Sequence, residues 1–320
     1  MGQLSVFDTR DAIGNFRRVY ESTYDNSYVQ RLAMVMNTDK QTETYRWLGS
    51  AYSPREWNGY RLERPVNRYT MSITNKKYET SYRFDVDDMR RTVKSDNQIP
   101  MVLADMAKKA AAFPEILLST LIANGDTTTS GLCYDGQQFF DTDHSEGDSG
   151  TQLNDLTASQ VPSADVTTAT KPTPTEWANT LLETIGYMYS LLDDTGDPIN
   201  GSAREFMVMV GTPALYGGLV QAIGLNALAS GADNPLRALN GINILPVLNP
   251  RRSAATSEFD IFRLDGPTPF IHQIELDLQT TIIGAGSETE YEEDAHKFGI
   301  KTLRAMGFGY WQSAAEVTFS

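Results

Sequence analysis

The chain has 320 residues, of which 40% are hydrophobic and 21% charged, an ordinary composition for a globular protein. It has no apolar run of eighteen or more residues, so we expect no transmembrane helix. The net charge is −14, made up of +3 for residues 1–124 and −17 after Asn124, where 26 Asp and Glu outnumber 9 Lys and Arg. This acidic balance argues against a protein that binds nucleic acid through its phosphates. The single cysteine, Cys133, excludes an internal disulfide, and with no histidine near it in sequence we interpret it as a small buried hydrophobe.

The first 46 residues are polar and weakly patterned, which predicts an extended arm with a short helix at residues 27–36. Residues 69–86 then predict a long, charged β-hairpin, because apolar residues alternate on both sides of a turn at residues 75–77. An isolated hairpin is marginally stable in water. Two interpretations therefore stay open: an edge hairpin on the chain's own sheet, or an arm that reaches a neighbouring subunit.

The most regular helix follows at residues 99–124. Apolar residues recur there at steps of three and four, as expected for one helical face. At 1.5 Å per residue the helix is about 37 Å long. Pro114 lies in its middle and should kink it or split it in two.

The rest of the chain mixes helices and strands. Residues 125–175 predict loops around an aromatic stretch at 134–140, and Pro174 opens a helix that runs to about Leu192. A buried strand at 206–210, a helix from Pro213 to Ser230 and short strands at 242–248 and 259–264 follow, and alternation resumes from Glu275. The fold class is therefore α+β.

Two clusters could support chemistry, and neither is convincing. Asp141, Asp143 and His144 fit a solvated surface loop better than a metal site, because neighbouring side chains of an extended segment point to opposite faces. The carboxylates of residues 288–294 beside His296 have polar neighbours, which favours a wet surface over an acid–base site. We therefore assign no catalytic, cofactor-binding or metal-binding residue. A hydrolase or metal enzyme that uses one of these clusters remains the rival from another functional class.

Four segments resemble the major head subunit of Mu-like bacteriophages, and they occur in the order typical of that family. The segments are residues 37–59, with Thr44-Tyr45-Arg46-Trp47 and Trp57-Asn58-Gly59; residues 69–88; residues 133–144, with Cys133-Tyr134-Asp135-Gly136 and Asp143-His144; and residues 298–312, with Arg304, Gly307, Gly309 and Trp311.

The resemblance implies the HK97-like capsid fold. In that fold the chain would divide into an N-terminal arm (1–49), an extended hairpin called the E-loop (50–92), a peripheral domain with a long spine helix (93–175), an axial domain (176–273), long sheet strands of the peripheral domain (274–313) and a terminal strand returning to the axial domain (314–320). Because the E-loop of this family lies over an adjacent subunit, we expect basic residues in and around it to pair with acidic surface there. These residues are Arg61, Arg64, Arg68, Lys76, Lys77 and Arg83.

The resemblance also implies a structural protein without cofactors. Copies of the chain would form the hexamers and pentamers of an icosahedral head, with scaffolding, portal and decoration proteins as further partners. The head would enclose double-stranded DNA without sequence-specific binding and without a membrane. The protein would be assembled in the host cytoplasm and reside in the virion. An encapsulin-like nanocompartment shares the fold and is the alternative, although the Mu-like segments favour a virion.

Overall fold

The computed structural model describes residues 6–48, 68–87, 98–227, 231, 233–239 and 241–320. The helices are α1 Val6–Tyr24, α2 Val29–Leu32, α3 Gln98–Ala123, α4 Pro174–Ser190, α5 Pro213–Gly224 and α6 Glu288–Glu293. The strands are β1 Ala33–Asn37, β2 Thr42–Leu48, β3 Arg68–Thr74, β4 Lys76–Asp85, β5 His144–Ser145, β6 Thr151–Gln152, β7 Asp155–Leu156, β8 Glu205–Val210, β9 Asn243–Leu248, β10 Glu258–Arg263, β11 Phe270–Ile283, β12 Ala295–Phe308 and β13 Ala314–Thr318.

In the described part of the chain, nine of the thirteen strands build two large sheets, and the β2–β3 and β5–β6 pairs form two-stranded ribbons. The first has the order β1-β11-β12-β4, with β1 parallel to β11 and the other pairs antiparallel. The second has the order β7-β13-β10-β8-β9, with antiparallel pairs around β10. None of the helices described here has the length and apolar character needed to cross a membrane.

The long helix predicted at residues 99–124 is confirmed as α3. It continues through buried Pro114, so the proline does not split it. Leu103 and Met106 of α3 pack against Phe298 and Ile300 of β12, and α1 joins the same cluster. Helices α1 and α3 thus cover one face of the first sheet.

A shared aromatic core joins the two sheets. Phe139 lies 5.0 Å from the ring of Phe270 and 4.8 Å from that of Phe308, both on the first sheet. Met207 and Met209 of β8 enter the same cluster from the second sheet. The aromatic stretch predicted within a loop is therefore a central part of the core.

The second sheet has its own core beneath α4 and α5. Helix α4 begins at Pro174, as predicted, and its first turn is closed by a capping box between Thr173 and Glu176. Trp177 packs at 4.9 Å from both Phe259 and Phe319. Helix α5 ends at Gly224, so the predicted extension to Ser230 is wrong.

A buried ion cluster ties strands β10 and β13 together. Nη2 of Arg252 lies 3.1 Å from Asp260, 3.0 Å from Glu316 and 3.2 Å from Glu258. Burial raises the pKa of Asp260 to about 6, against the opposing effect of the Arg252 charge. Because one guanidinium satisfies three carboxylates from two strands, the cluster fixes how these strands pack.

The N-terminal prediction is wrong in its secondary structure. Residues 6–24 form α1 instead of an extended arm, and Phe16 of α1 lies 5.5 Å from Phe298 of β12. The short helix predicted at 27–36 is reduced to α2, because β1 pairs with β11 from Ala33 onward. A polar sequence with widely spaced aromatic residues did not show a helical face of its own.

The predicted hairpin at residues 69–86 is wrong in its pairing. Strand β3 pairs with β2, from Thr42↔Thr74 to Leu48↔Arg68, and β4 pairs along its length with β12. Asn75 between them is buried, and its Nδ2 donates to the carbonyl of Lys40 at 3.0 Å. This residue therefore marks a crossing from one sheet to another instead of an exposed turn.

Candidate functional site

His144 lies in the core and not in the solvated loop that the sequence predicts. Its Nδ1 lies 2.6 Å from Asp135 Oδ2 and its Nε2 lies 3.2 Å from Asn154 Oδ1, while its ring stacks on Trp311 at 3.9 Å. Asn154 Nδ2 donates to three carbonyl oxygens, which leaves its Oδ1 to accept. Every polar atom of the imidazole is thus satisfied by the protein, so this group has a structural role.

Glu146 is buried beside this histidine. Its Oε1 accepts from Trp311 Nε1 at 2.6 Å, from Gln312 Nε2 at 2.9 Å and from the hydroxyl of Tyr134. Burial raises the pKa of Glu146, and it raises the pKa of the Cys133 thiol well above its ordinary value. Cys133 is buried as predicted, and a thiol of raised pKa is a poor nucleophile.

The carboxylate cluster of residues 288–294 lies on a wet surface, as predicted. It forms α6, at the turn between β11 and β12, where Glu290 Oε1 lies 3.1 Å from His296 Nε2. Within the described ranges, no group of three or more His, Cys, Asp or Glu side chains could hold a metal ion. These geometries leave surfaces, and not a chemical centre, as the candidate functional features.

The most distinctive surface is the ribbon formed by β2 and β3. Its outer face carries hydroxyl pairs, Thr42 with Thr74 at 3.0 Å and Thr44 with Ser72 at 2.9 Å, and all four side chains are exposed. The ladder continues to Leu48↔Arg68, beyond which lie residues 49–67. The outer face of the ribbon is thus polar and exposed.

The inner face of the ribbon is fastened to the first sheet. Ile73 is buried against Ile271 and Ala305. The Tyr45 hydroxyl donates to Gln273 Oε1 at 2.8 Å, and Gln273 Nε2 donates to the carbonyl of Ile73 at 3.3 Å. The ribbon therefore lies on the sheet face opposite α3. Its base is held by residues of β11 and β12, which are distant from the ribbon in sequence.

The structure describes four of the six predicted contact residues, and these four do not lie on one hairpin. Arg61 and Arg64 lie outside the described residues, and Arg68 begins β3. Lys76 and Lys77 are exposed on β4, the edge strand of the first sheet. The remaining residue is already engaged: Arg83 Nη1 pairs with Glu293 of its own chain at 3.3 Å.

The pairing of β2 with β3 was not predicted from the sequence. The signal was present, because Thr42, Thr44 and Arg46 alternate with Glu43 and Tyr45. Alternation alone, however, does not identify the strand with which a strand pairs.

A sequence model of one protein family matches this chain. The family is described as Mu-like prophage major head subunit gpT, and the match extends over residues 11–173, just over half of the chain.

Two curated relatives agree with this match. The chain is 33% identical over 121 residues to the "Major capsid protein" of Escherichia phage Mu, covering 37% of each chain. It is 29% identical over 137 residues to the "Mu-like prophage FluMu major head subunit" of Haemophilus influenzae, covering 42% of each chain. The alignments thus span less than half the length of these relatives.

Solved structures show the fold. The mature capsid of bacteriophage PhiM1 aligns with a TM-score of 0.57 at 14% identity, over 92% of this chain and 87% of that one. A virus-like particle from Pyrococcus furiosus aligns with a TM-score of 0.51 at 10% identity, over 95% and 98%. The fold is therefore that of the HK97-like capsid subunits, in an α+β chain, as expected. Because a virus-like particle also shares this fold, the fold alone does not identify the kind of shell.

Proposed function

This chain belongs to the family of Mu-like prophage major head subunits, and we propose that it is the major capsid protein of a tailed phage. In this role its copies form hexamers and pentamers of an icosahedral head. The observation that carries the proposal is the family match over residues 11–173. The HK97-like fold supports it.

The domain roles follow the two sheets. We assign the first sheet with α3 to the peripheral domain and the second sheet with α4 and α5 to the axial domain. The terminal strand β13 pairs with β10 of the second sheet, which supports its assignment to the axial domain. The β2–β3 ribbon would belong to the E-loop, so that this element begins at about residue 42.

The charge of the chain suits a container for DNA. A subunit of net charge −14 repels phosphates, so it can enclose double-stranded DNA without adhering to it. We place the protein in the virion after assembly in the host cytoplasm. Scaffolding, portal and decoration proteins are the further partners that such a head needs.

Lys76 and Lys77 are the strongest of the described candidates for contact with a neighbouring subunit. The two lysines are exposed at the start of the edge strand β4, whereas Arg83 is already paired with Glu293. Acidic surface is abundant after Asn124, where the counterpart would lie. Many identical contacts of modest affinity add up in a shell.

Charge reversal tests this contact. We expect the double variant Lys76→Glu/Lys77→Glu to remain folded but to assemble poorly, most clearly at low salt, where surface charges are least screened. The matched control is Lys108→Glu/Lys171→Glu, which makes the same charge change at two other exposed lysines. Equal assembly of both variants at several salt concentrations, followed by light scattering, would contradict the contact.

Electron microscopy of the purified protein tests the function itself. Closed shells, tubes, or hexamers and pentamers support the proposal. Shells that enclose protein cargo and no DNA, when isolated from the producing cell, would indicate an encapsulin-like compartment. A protein that stays monomeric at high concentration, even with scaffolding and portal proteins present, would overturn the proposal.

A further inference from the structure

An open groove of about 780 Å³ lies between α3 and the edge strand β4. Tyr78 and Tyr82 of β4, Met106 and Phe113 of α3, and Ile300 of β12 supply an apolar surface within it. The rings of Tyr78 and Phe113 lie 4.6 Å apart, edge to face. An aromatic side chain would find ring edges and faces here with which to pack.

The groove is positively charged, although the chain as a whole is acidic. The groove is lined by Lys77, Lys109, Lys301 and Arg304 together with Glu79, and Lys109 Nζ also pairs with Asp105, one turn earlier in α3, at 2.8 Å. Arg304 is 1% exposed, and within the described part of the chain its Nη2 has no hydrogen-bond partner, although Asp277 lies at 3.6 Å. The groove therefore fits an occupant that combines an apolar group with carboxylates.

Helix α6 of the same chain presents this combination. Tyr291 is 93% exposed, the most exposed of the large apolar side chains in the described residues. Glu288 and Glu292 lie three positions before it and one after it, so the three side chains share one helical face. The other carboxylates face their own chain, since Glu290 meets His296 and Glu293 meets Arg83.

Among the described residues, none from α6 lines the groove of its own chain. Asp85 of β4 pairs with Ala295, directly after α6, whereas Lys77 at the groove lies eight residues along the same strand. At about 3.4 Å per residue this separation is about 27 Å. The complementary surfaces of one chain are therefore available to different neighbours.

We propose that the α6 tip of one subunit docks in the groove between α3 and β4 of a neighbouring copy. The Tyr291 ring packs on the aromatic residues of the groove, and Glu288 and Glu292 approach the rim lysines Lys77 and Lys109. The contact joins different patches on the two copies, so it repeats from subunit to subunit and closes only if the geometry permits. This inference rests on the proposed function, because it names a contact within the shell.

Cysteine cross-linking tests the contact in assembled particles. The only native cysteine, Cys133, is buried, so the background is low. We expect Tyr291→Cys mixed with Lys109→Cys to give disulfide-linked dimers under mild oxidation, and Tyr291→Cys mixed with the matched control Val220→Cys to give none. Val220 is exposed on α5, which packs on the second sheet, whereas β4 belongs to the first.

The outcomes separate this contact from assembly in general. Particles that form normally but cross-link only through pairs of Tyr291→Cys would show that tips meet tips, and this would overturn the docking while leaving the proposed function intact. Truncation by Tyr291→Ser should raise the concentration needed for assembly about tenfold or more, as for a buried aromatic at an interface, whereas Tyr291→Phe should not. The Glu292→Lys variant should lose assembly, and adding Lys109→Glu should restore it. If the second change does not restore assembly, the charge pairing is contradicted.

Discussion

Replacing Gly307 by alanine should displace the β2–β3 ribbon from the sheet. A Cβ at this position would lie 2.3 Å from Cδ1 and 2.7 Å from Cγ1 of Ile73. Carbon atoms in contact prefer about 3.5–4.0 Å. Ile73 is 6% exposed and packs on Ile271 and Ala305, so its side chain cannot move aside without disturbing them. Over-packing of this kind costs about 1–3 kcal/mol.

A double-mutant cycle isolates the clash. Ile73→Ala alone removes a buried side chain and should cost about 2–5 kcal/mol of unfolding free energy. It also removes Cγ1 and Cδ1, so Gly307→Ala should then cost little, and the two changes should be coupled by about 1–3 kcal/mol. The measurement is urea unfolding of the unassembled subunit, with Gly217→Ala as the control, since a Cβ there meets nothing within 4 Å. Additive costs for the two changes, within about 0.5 kcal/mol, would refute the reasoning.

Other groups should respond to pH or to loss of a hydrogen bond. Burial, and to a lesser degree the charge of Arg304, lowers the pKa of His272 to about 3. The stability that the neutral imidazole contributes is therefore present above pH 6.5 and lost as the pH falls toward 3, so acidification from pH 6.5 to 5 should lower the free energy of unfolding by up to about 2 kcal/mol. His272→Gln should remove this loss in urea titrations. Asp260 has the opposite sign, because a pKa raised to about 6 makes stability fall as the pH rises from 4 to 6; a flat difference between wild type and Asp260→Asn over this interval would count against it. Asn154→Ala removes a donor from the carbonyl oxygens of Phe139, Trp311 and Ala314, of which that of Trp311 keeps a bond from the Ala314 N–H. The change should cost about 2 kcal/mol or more by thermal or urea unfolding, and a cost below about 1 kcal/mol would show that water replaces the amide.

Local sequence patterns predicted the helices and strands that can be recognised from their own residues alone. Helix α3 was predicted from the spacing of its one buried face, the start of α4 from Pro174, and β8 from a continuous apolar run, which suits a strand buried on both faces. Strand pairing did not follow in the same way. The apolar residues of β4 indicate one buried face, but they do not indicate that β12, more than 200 residues later, supplies the partner.

The partners of the buried polar groups could not be predicted from the sequence for a related reason. His144 reads as a loop residue beside two aspartates, yet Trp311 covers its ring from the far end of the chain. Similarly, Arg83 looked free until α6 placed Glu293 next to it. The resemblance to a family compensated for this limit in fold and function, since it carries long-range arrangement that periodicity lacks, but it did not identify which charges remain available to a partner.

The placement of the ribbon has a consequence for assembly. Ile73 holds the ribbon on the face of the sheet that carries Gly307, whereas the groove opens beside α3, which covers the opposite face. A subunit can therefore extend its ribbon to one neighbour while its groove receives the α6 tip of another. Each proposed contact needs only modest affinity, because the same contact is repeated at every subunit of the shell. A contact that contributes about 1.4 kcal/mol already changes the association constant of one subunit tenfold. Weakening either contact should for this reason reduce shell formation far more than it reduces the stability of the isolated subunit.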